Sequence, residues 1–462
     1  VIGVEEHVPD PTTRRSLLAA TAAAAATAVA PRTRPAPAGR PVPAAMDDTQ
    51  AGGIDYQSWT TAADWADGAA PGTTAADGEV PGLRIEAAVG TVDYLDPHTG
   101  TTAGWEWASW TSPERPLAHP ATQAVASWNA RTPEGTWLAV ELSGSYTDGA
   151  RTPWYVMGRW AAGDQDIRRT SVAGQQDGRS SIRTDTFAID TPAGGLRLAT
   201  CQLRLTLYRK PGTLLTPVVQ RLGVLTSDLP ASAQTPATAP GPAAGHELPV
   251  PRYSQEVHQG QYPQYDSGGE AWCSPTSSQM VLAYWGRTPA PADLAWVDPA
   301  YTDPQVCQAA RGTFDYQYQG CGNWPFNAAY AATYPGLQAV VTRLRSLTEA
   351  EHLILAGIPL ITSLCFLPSE LDGAGYGTAG HLMAVIGFTA DGDVIANDPA
   401  SPSNEAVRRV YQRHQFENAW LRTTWTNAKG EAADGSGGIC YLYFPAEPTA
   451  AQTQALAACG VR

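Results

Sequence analysis

Apolar positions recur with two different periods along this chain of 462 residues. Between about 83 and 227 the apolar runs are short and alternate. Gly135-Thr-Trp-Leu-Ala-Val-Glu-Leu142, Pro153-Trp-Tyr-Val-Met-Gly-Arg-Trp160 and Leu196 to Tyr208 are examples, with Gly, Pro, Asp and Asn between them. A period of two without helical recurrence predicts half-buried strands, and a series of them predicts an all-β, sandwich-like domain. Cys201 alternates with Leu203, Leu205 and Leu207 and is read as strand core. From about 248 to 446 the pattern mixes. Met280, Val281 and Tyr284 recur at helical spacing, and Gly286 is a natural stop. Further helices are predicted around Trp324 to Ala332 and Thr348 to Ala356. Strand-like runs follow at Pro359 to Phe366, His381 to Phe388, Asp393 to Ala396 and Ile439 to Phe444. Helices first and strands after is an α+β layout.

The segments between these blocks set the domain organisation. Residues 228–247 are rich in Pro and Ala and read as an extended, semi-rigid linker. Residues 39–82 are rich in Ala, Gly, Pro and Thr. They read as a disordered lead-in from which Tyr56, Trp59 and Trp65 touch the first domain. Residues 447–462 are left as a C-terminal tail. At the start, Thr13-Arg14-Arg15-Ser16-Leu17-Leu18 precedes an Ala-rich apolar run to about Ala30. That pattern is a twin-arginine export signal over residues 1–38, with cleavage expected after Ala38. It implies a secreted protein handed to the twin-arginine machinery. The apolar run is shorter than the roughly 20 residues a membrane span requires, and no integral membrane segment is expected.

A formal net charge of -14 argues against nucleic-acid partners, which need a basic surface. The chain has 15 Trp and 18 Tyr against 7 Phe. In a β domain such rings either stack on sugars or pack the core, and Trp128, Trp137, Trp154 and Trp160 are read here as packing. Seven cysteines, an odd number, leave at least one thiol unpaired in an exported protein. Cys307 and Cys321 flank a loop and are the first disulfide candidates; Cys440 with Cys459 is the second. Cys365 lies in an apolar run and is read as core. No CxxC or His-rich cluster suggests a metal site, and no cofactor is implied.

The candidate chemistry centres on Cys273. Gly268 and Gly269 free the chain to turn before it. Ser274 can cap and Pro275 suits a first helical turn. A cysteine at a helix start meets the positive end of the macrodipole, which favours the nucleophilic thiolate. Such a thiolate needs a base, and the base needs an orienter. His381 opens a strand that turns at Ala390-Asp-Gly-Asp393 and returns to Asp398. Simple pairing across Asp391-Gly392 sets Asp398 opposite Val385. His381 and Asp398 then share a face but lie about 13 Å apart along the strand. A twist, a longer turn or a bulge has to close that gap. Gln255, upstream of the cysteine, is a side-chain donor suited to an oxyanion, beside the Cys273 backbone N–H. Gly322-Asn-Trp-Pro-Phe-Asn327 either lines the cleft or starts a helix capped by Asn323.

The order Gln255, Cys273, His381, Asp398 resembles the papain-like cysteine peptidases, and within them the bacteriocin-processing type (family thirty-nine) and its soluble relatives. Val250-Pro-Arg-Tyr-Ser-Gln255, Trp272-Cys-Ser-Pro-Thr-Ser277, Gly380-His-Leu-Met-Ala-Val-Ile-Gly-Phe388 and Asn397-Asp-Pro-Ala400 carry the likeness, from Val250 to Pro445. With the β domain in front, the chain also resembles secreted bacterial proteins described only as peptidase-like. The resemblance implies a papain-like fold with Cys273 as nucleophile, His381 as base, Asp398 as orienter and Gln255 as oxyanion donor. It implies a peptide or cell-wall peptide substrate. Gln264 is a rival donor and Asn397 a rival orienter. Transporter domains of the bacteriocin-processing enzymes are absent here, and Ser274 stands where Gly is common. Two other functions stay open: acyl transfer to an amine on the same fold, and glycan or cell-wall binding by the Trp-rich β domain without catalysis.

Overall fold

A computed structural model describes residues 53–77 and 80–462. The expected export signal, residues 1–38, and the first part of the lead-in lie outside the described residues. The remainder of the lead-in corrects the expectation of disorder. Gly53–Trp59 pairs antiparallel with Val218–Asp228, and Thr73–Ala76 pairs with Gly82–Ile85. Tyr56, Trp59 and Trp65 are buried. Local composition is poor in apolar residues, but three large rings and a full strand ladder outweigh it.

Residues 53–228 build a seven-stranded and a six-stranded sheet, antiparallel throughout. Alternation places Leu203, Leu205 and Leu207 at 0% exposure, with Cys201 buried in line. Trp128, Trp137 and Trp160 are buried, and half-buried Trp154 lies under the Arg204 guanidinium, 4.3 Å from its ring centre. These rings pack, and none of the buried three offers a face to a sugar.

The C-terminal half is α+β. The strands of its main sheet are β1 (Leu337–Arg343), β2 (Leu360–Phe366), β3 (Thr378–Phe388), β4 (Val394–Asn397), β5 (Arg408–Tyr411) and β6 (Ile439–Pro445). They order as β1-β6-β2-β3-β4-β5. The helices are α1 (Cys273–Tyr284), α2 (Pro304–Thr313), α3 (Trp324–Ala331), α4 (Leu347–Leu355), α5 (Arg413–Leu421) and α6 (Ala450–Ala458). Helix α1 packs on β3, so the sheet supports the cysteine-bearing helix along its length. The presumed tail is α6, capped by Thr449 and packed against α4.

One apolar core runs through both halves. Phe326 of α3 meets Trp160 and Trp128 of the β domain at ring separations of 5.4 and 6.1 Å. Asn323 caps α3 by accepting the Phe326 N–H at 3.0 Å. The Gly322–Asn327 cluster is therefore a helix start at the domain interface, not a cleft lining. The β1 edge is covered by side chains of the β domain. Asn129 donates to the Ala339 carbonyl at 2.6 Å and accepts the Ala339 N–H at 3.1 Å. An exposed edge invites strand addition, and this arrangement closes it. The Pro/Ala segment forms no helix or strand and is strapped down. Gly241 and Ala243 N–H groups donate to Glu351, and Thr238 N–H donates to Glu417. Both carboxylates are fully buried. No described helix is long and apolar enough to cross a membrane.

All seven thiols are free, which corrects the disulfide expectation for Cys307–Cys321 and Cys440–Cys459. Spacing along a loop says nothing about where sulfurs point. Cys321 donates to the Ala310 carbonyl at 3.4 Å, whereas Cys307 lies 3.6 Å from His258 Nδ1.

Candidate active site

Cys273 is the first residue of α1 and is the only one of the seven cysteines that is not buried. The turn that delivers it is tight. Gly268 has φ of 106°, in the left-handed region, and the backbone of residues 255–258 crosses over Gly269. A β-carbon on Gly269 would stand 2.4 Å from the Gln255 carbonyl oxygen. Only glycine permits that approach. Trp272 takes the cap position without a side-chain bond, so Ser274 is not the cap. Ser274 sits inside the helix, its hydroxyl 3.1 Å from the Tyr441 hydroxyl. Ser277 and Ser278 likewise bond the Leu382 carbonyl and the Tyr443 hydroxyl, at 3.0 and 2.8 Å. The hydroxyls of these three serines find partners on the sheet behind the helix, whereas Thr276 Oγ1 and the Gln279 amide are buried without one.

His381 lies on β3 with 4% exposure. Its Nε2 bonds Asp398 Oδ1 at 2.9 Å, and the Cys273 thiol is near enough to act on the ring. With Nε2 taken, Nδ1 is the nitrogen left for the sulfur. The hairpin that joins His381 to Asp398 shifts register twice relative to simple pairing. Phe388 pairs with Val394, but Ala384 pairs with Asn397, with a bulge between Val385 and Gly387. Asp398 is thereby brought level with Met383, two residues from His381, or about 7 Å along the strand. Two one-residue shifts preserve parity, so both side chains stay on one face.

Asp398 accepts four hydrogen bonds. Oδ1 takes His381 and the Ala400 N–H at 2.9 and 3.0 Å; Oδ2 takes the Tyr376 and Tyr411 hydroxyls at 2.9 and 2.6 Å. Burial disfavours its charge, but His381 and these donors outweigh burial and hold the carboxyl below its usual range. The same pairing acts on the imidazole. Burial works to lower its pKa, but the Asp398 charge and hydrogen bond, with the Cys273 thiol, push it up to about 10. The arrangement thus favours an imidazolium beside the sulfur. Tyr376 also lays its ring against His381 at 5.4 Å, shielding the His381–Asp398 bond from water.

Gln255 is 1% exposed and lies against the same turn. Its Nε2 donates to the Glu270 carbonyl at 2.9 Å and to Glu256 Oε1 at 3.2 Å. The two rivals sit elsewhere. Gln264 lines an interdomain cavity of about 550 Å³ with Arg168 and Tyr316. Asn397 donates to the Val250 and Pro251 carbonyls at 3.3 and 3.1 Å, which anchors the strand leading to Gln255. Tyr376, Tyr411 and Glu256 were not foreseen from sequence. Tyr376 stands in a Gly-rich loop with no period, whereas Tyr411 ends β5 opposite Val394 and reaches Asp398 only through its hydroxyl. No group of three or more potential metal ligands occurs among the described residues.

Comparison with known proteins bears on both halves. Residues 55–227 match the family described as Peptidase C39 N-terminal domain, and residues 247–427 match the Peptidase C39 like family. No curated protein matches significantly. Among solved structures, a Bacillus anthracis protein assigned provisionally as a C39-like peptidase is 19% identical. The match covers 44% of this chain and 98% of that one, with a TM-score of 0.27, too low to carry an argument. The two family matches meet at the Pro/Ala segment and agree with the fold on either side of it. The chain thus carries a domain of the C39 N-terminal family at 55–227, followed by a domain of the C39-like peptidase family at 247–427.

Proposed function

We propose that the protein is an exported cysteine peptidase that cleaves peptide bonds through Cys273, His381 and Asp398. The observation that carries this reading is the placement of His381, bonded to Asp398 at 2.9 Å, beside the Cys273 thiol at the start of a buried helix. Thiolate, imidazolium and orienting carboxylate are the three parts that acyl transfer from an amide requires. Cys273 sulfur attacks the carbonyl carbon, and the carbonyl electron pair moves to oxygen. The Cys273 backbone N–H and the Gln255 amide would stabilise that oxyanion. As it collapses, the C–N bond breaks and His381 gives its proton to the leaving amine. Water, deprotonated by His381, then releases the acid and restores the thiol. Tyr376 and Tyr411 hold Asp398 ionised and fixed throughout.

Thr13-Arg14-Arg15 and the Ala-rich run support export in a folded state, which suits a protein whose two halves share one core. A peptide substrate outside the cytoplasm, including cell-wall peptide, follows from that location. The test is alkylation by limiting iodoacetamide near neutral pH, with the modified residue mapped by mass spectrometry. Cys273 is expected to react at least tenfold faster than in a His381→Ala variant. Equal rates would reject the thiolate–imidazole pair.

A further inference from the structure

The Gln255 amide has two N–H bonds, and both are occupied. One goes to the Glu270 carbonyl at 2.9 Å, the other to Glu256 Oε1 at 3.2 Å. An oxyanion can use this donor only if one partner leaves. The Glu270 carbonyl belongs to the turn that runs directly into Cys273, and it cannot move without moving the nucleophile. The Glu256 bond is longer, and it is made by a half-buried side chain with somewhere else to go. Its Oε2 already accepts the Nε2 of exposed Gln259 at 2.5 Å. No Lys or Arg pairs with Glu256 among the described residues. Burial opposes its ionisation most and raises its pKa, Glu270 opposes it as well, and the Gln259 and Gln255 amides and the His381 charge favour it.

We propose that Glu256 is a resident anion on the oxyanion donor. Its carboxylate holds the Gln255 N–H in the substrate-free protein and is displaced toward Gln259 by the oxygen of the reacting carbonyl. Glu256 is then a positioning residue. It keeps the amide aimed while the site is empty, and it competes with the transition state for the same hydrogen. This rests on the peptidase reading above, with Gln255 as donor.

The experiment uses the full chain, wild type and the variants Glu256→Ala, Glu256→Gln, Gln255→Ala and Glu256→Ala with Gln255→Ala. Two reactions are compared. Iodoacetamide alkylation of Cys273 reads the thiolate and forms no oxyanion. Addition of acetylglycinal, an aldehyde too small to depend on a specificity pocket, forms a C–S bond; the carbonyl pair goes to oxygen, which takes the imidazolium proton. Its equilibrium constant, read by carbon NMR of the hemithioacetal, reports the oxyanion site. One freed hydrogen bond should tighten the hemithioacetal of Glu256→Ala about three- to tenfold. Glu256→Gln, which keeps the shape, should fall between, and the double variant should lose the gain. Alkylation should stay within about threefold in the Glu256 variants. Unchanged or weaker hemithioacetal formation in both Glu256 variants, with alkylation intact, would overturn this inference alone. Slow alkylation of wild-type Cys273, or no hemithioacetal in any variant, would overturn the peptidase reading and this inference with it.

Discussion

Replacing Asp398 by Asn removes one charge from the site and little else. Asn Oδ1 can still accept from His381 Nε2, and its amide can face the Tyr376 and Tyr411 hydroxyls that now donate to Oδ2. The imidazole loses its main counter-charge while its burial remains. In the native protein that counter-charge, together with the partner hydrogen bonds, overcomes burial and holds His381 at about 10. An opposite charge in hydrogen-bond contact is worth roughly 1–3 pKa units, each ~1.4 kcal/mol. Taking about 2 units, proton transfer from Cys273 to His381 becomes about a hundredfold less favourable. Iodoacetamide alkylation at neutral pH should therefore slow by about 10- to 100-fold. The pH profile of alkylation should differ between the two proteins, because His381 loses the counter-charge that holds it at about 10. The assay is a time course from pH 5 to 10 by intact mass, with circular dichroism to confirm the fold. A rate within threefold of wild type, with an unchanged profile, would refute the claim that Asp398 sets the charge on His381.

Three further outcomes follow from the same structure. Native protein should take up one equivalent of a small thiol reagent, at Cys273, and seven in denaturant, because the other six thiols are buried and none is paired. Asn129→Ala should cost about 2–4 kcal/mol, since it strands the buried Ala339 N–H and carbonyl; denaturation should remain one transition, because the core is shared. The melting temperature should depend on pH in a way that Asp398→Asn reduces. The Asp398 contribution is present above the usual carboxylate range and is lost as pH falls through its depressed value. The His381 contribution is complete below its ordinary value of about 6.5 and is lost as pH rises through about 10.

What the sequence revealed and what it hid have physical causes. The cysteine-bearing turn was legible because glycines and a helical apolar run are local signals. The shared face of His381 and Asp398 was legible because strand parity is fixed by the pleat. Their contact was not, because it needs the bulge between Val385 and Gly387; a strand glycine such as Gly387 allows a bulge but does not fix how far the register moves. Tyr376 reaches Asp398 from a Gly-rich loop, where neither period nor propensity applies. The lead-in was misread because composition scores a segment alone, whereas Gly53–Trp59 is held by a partner strand some 170 residues away. The linker was recognised by its prolines, but the buried carboxylates of Glu351 and Glu417 that tie it down lie far along the chain. Disulfide pairing failed for a related reason, as sulfur direction is set by packing around α2 and its neighbours.

The central claim is cleavage of peptide bonds by Cys273, and terminal-amine mass spectrometry tests it most directly. A complex peptide mixture would be incubated with the protein and, in parallel, with its Cys273→Ala variant. The account predicts new N-termini that appear with the wild type, are absent with Cys273→Ala and diminish with Asp398→Asn. No new termini in a preparation whose Cys273 alkylates rapidly would contradict it, leaving a reactive thiol whose chemistry is not peptide hydrolysis.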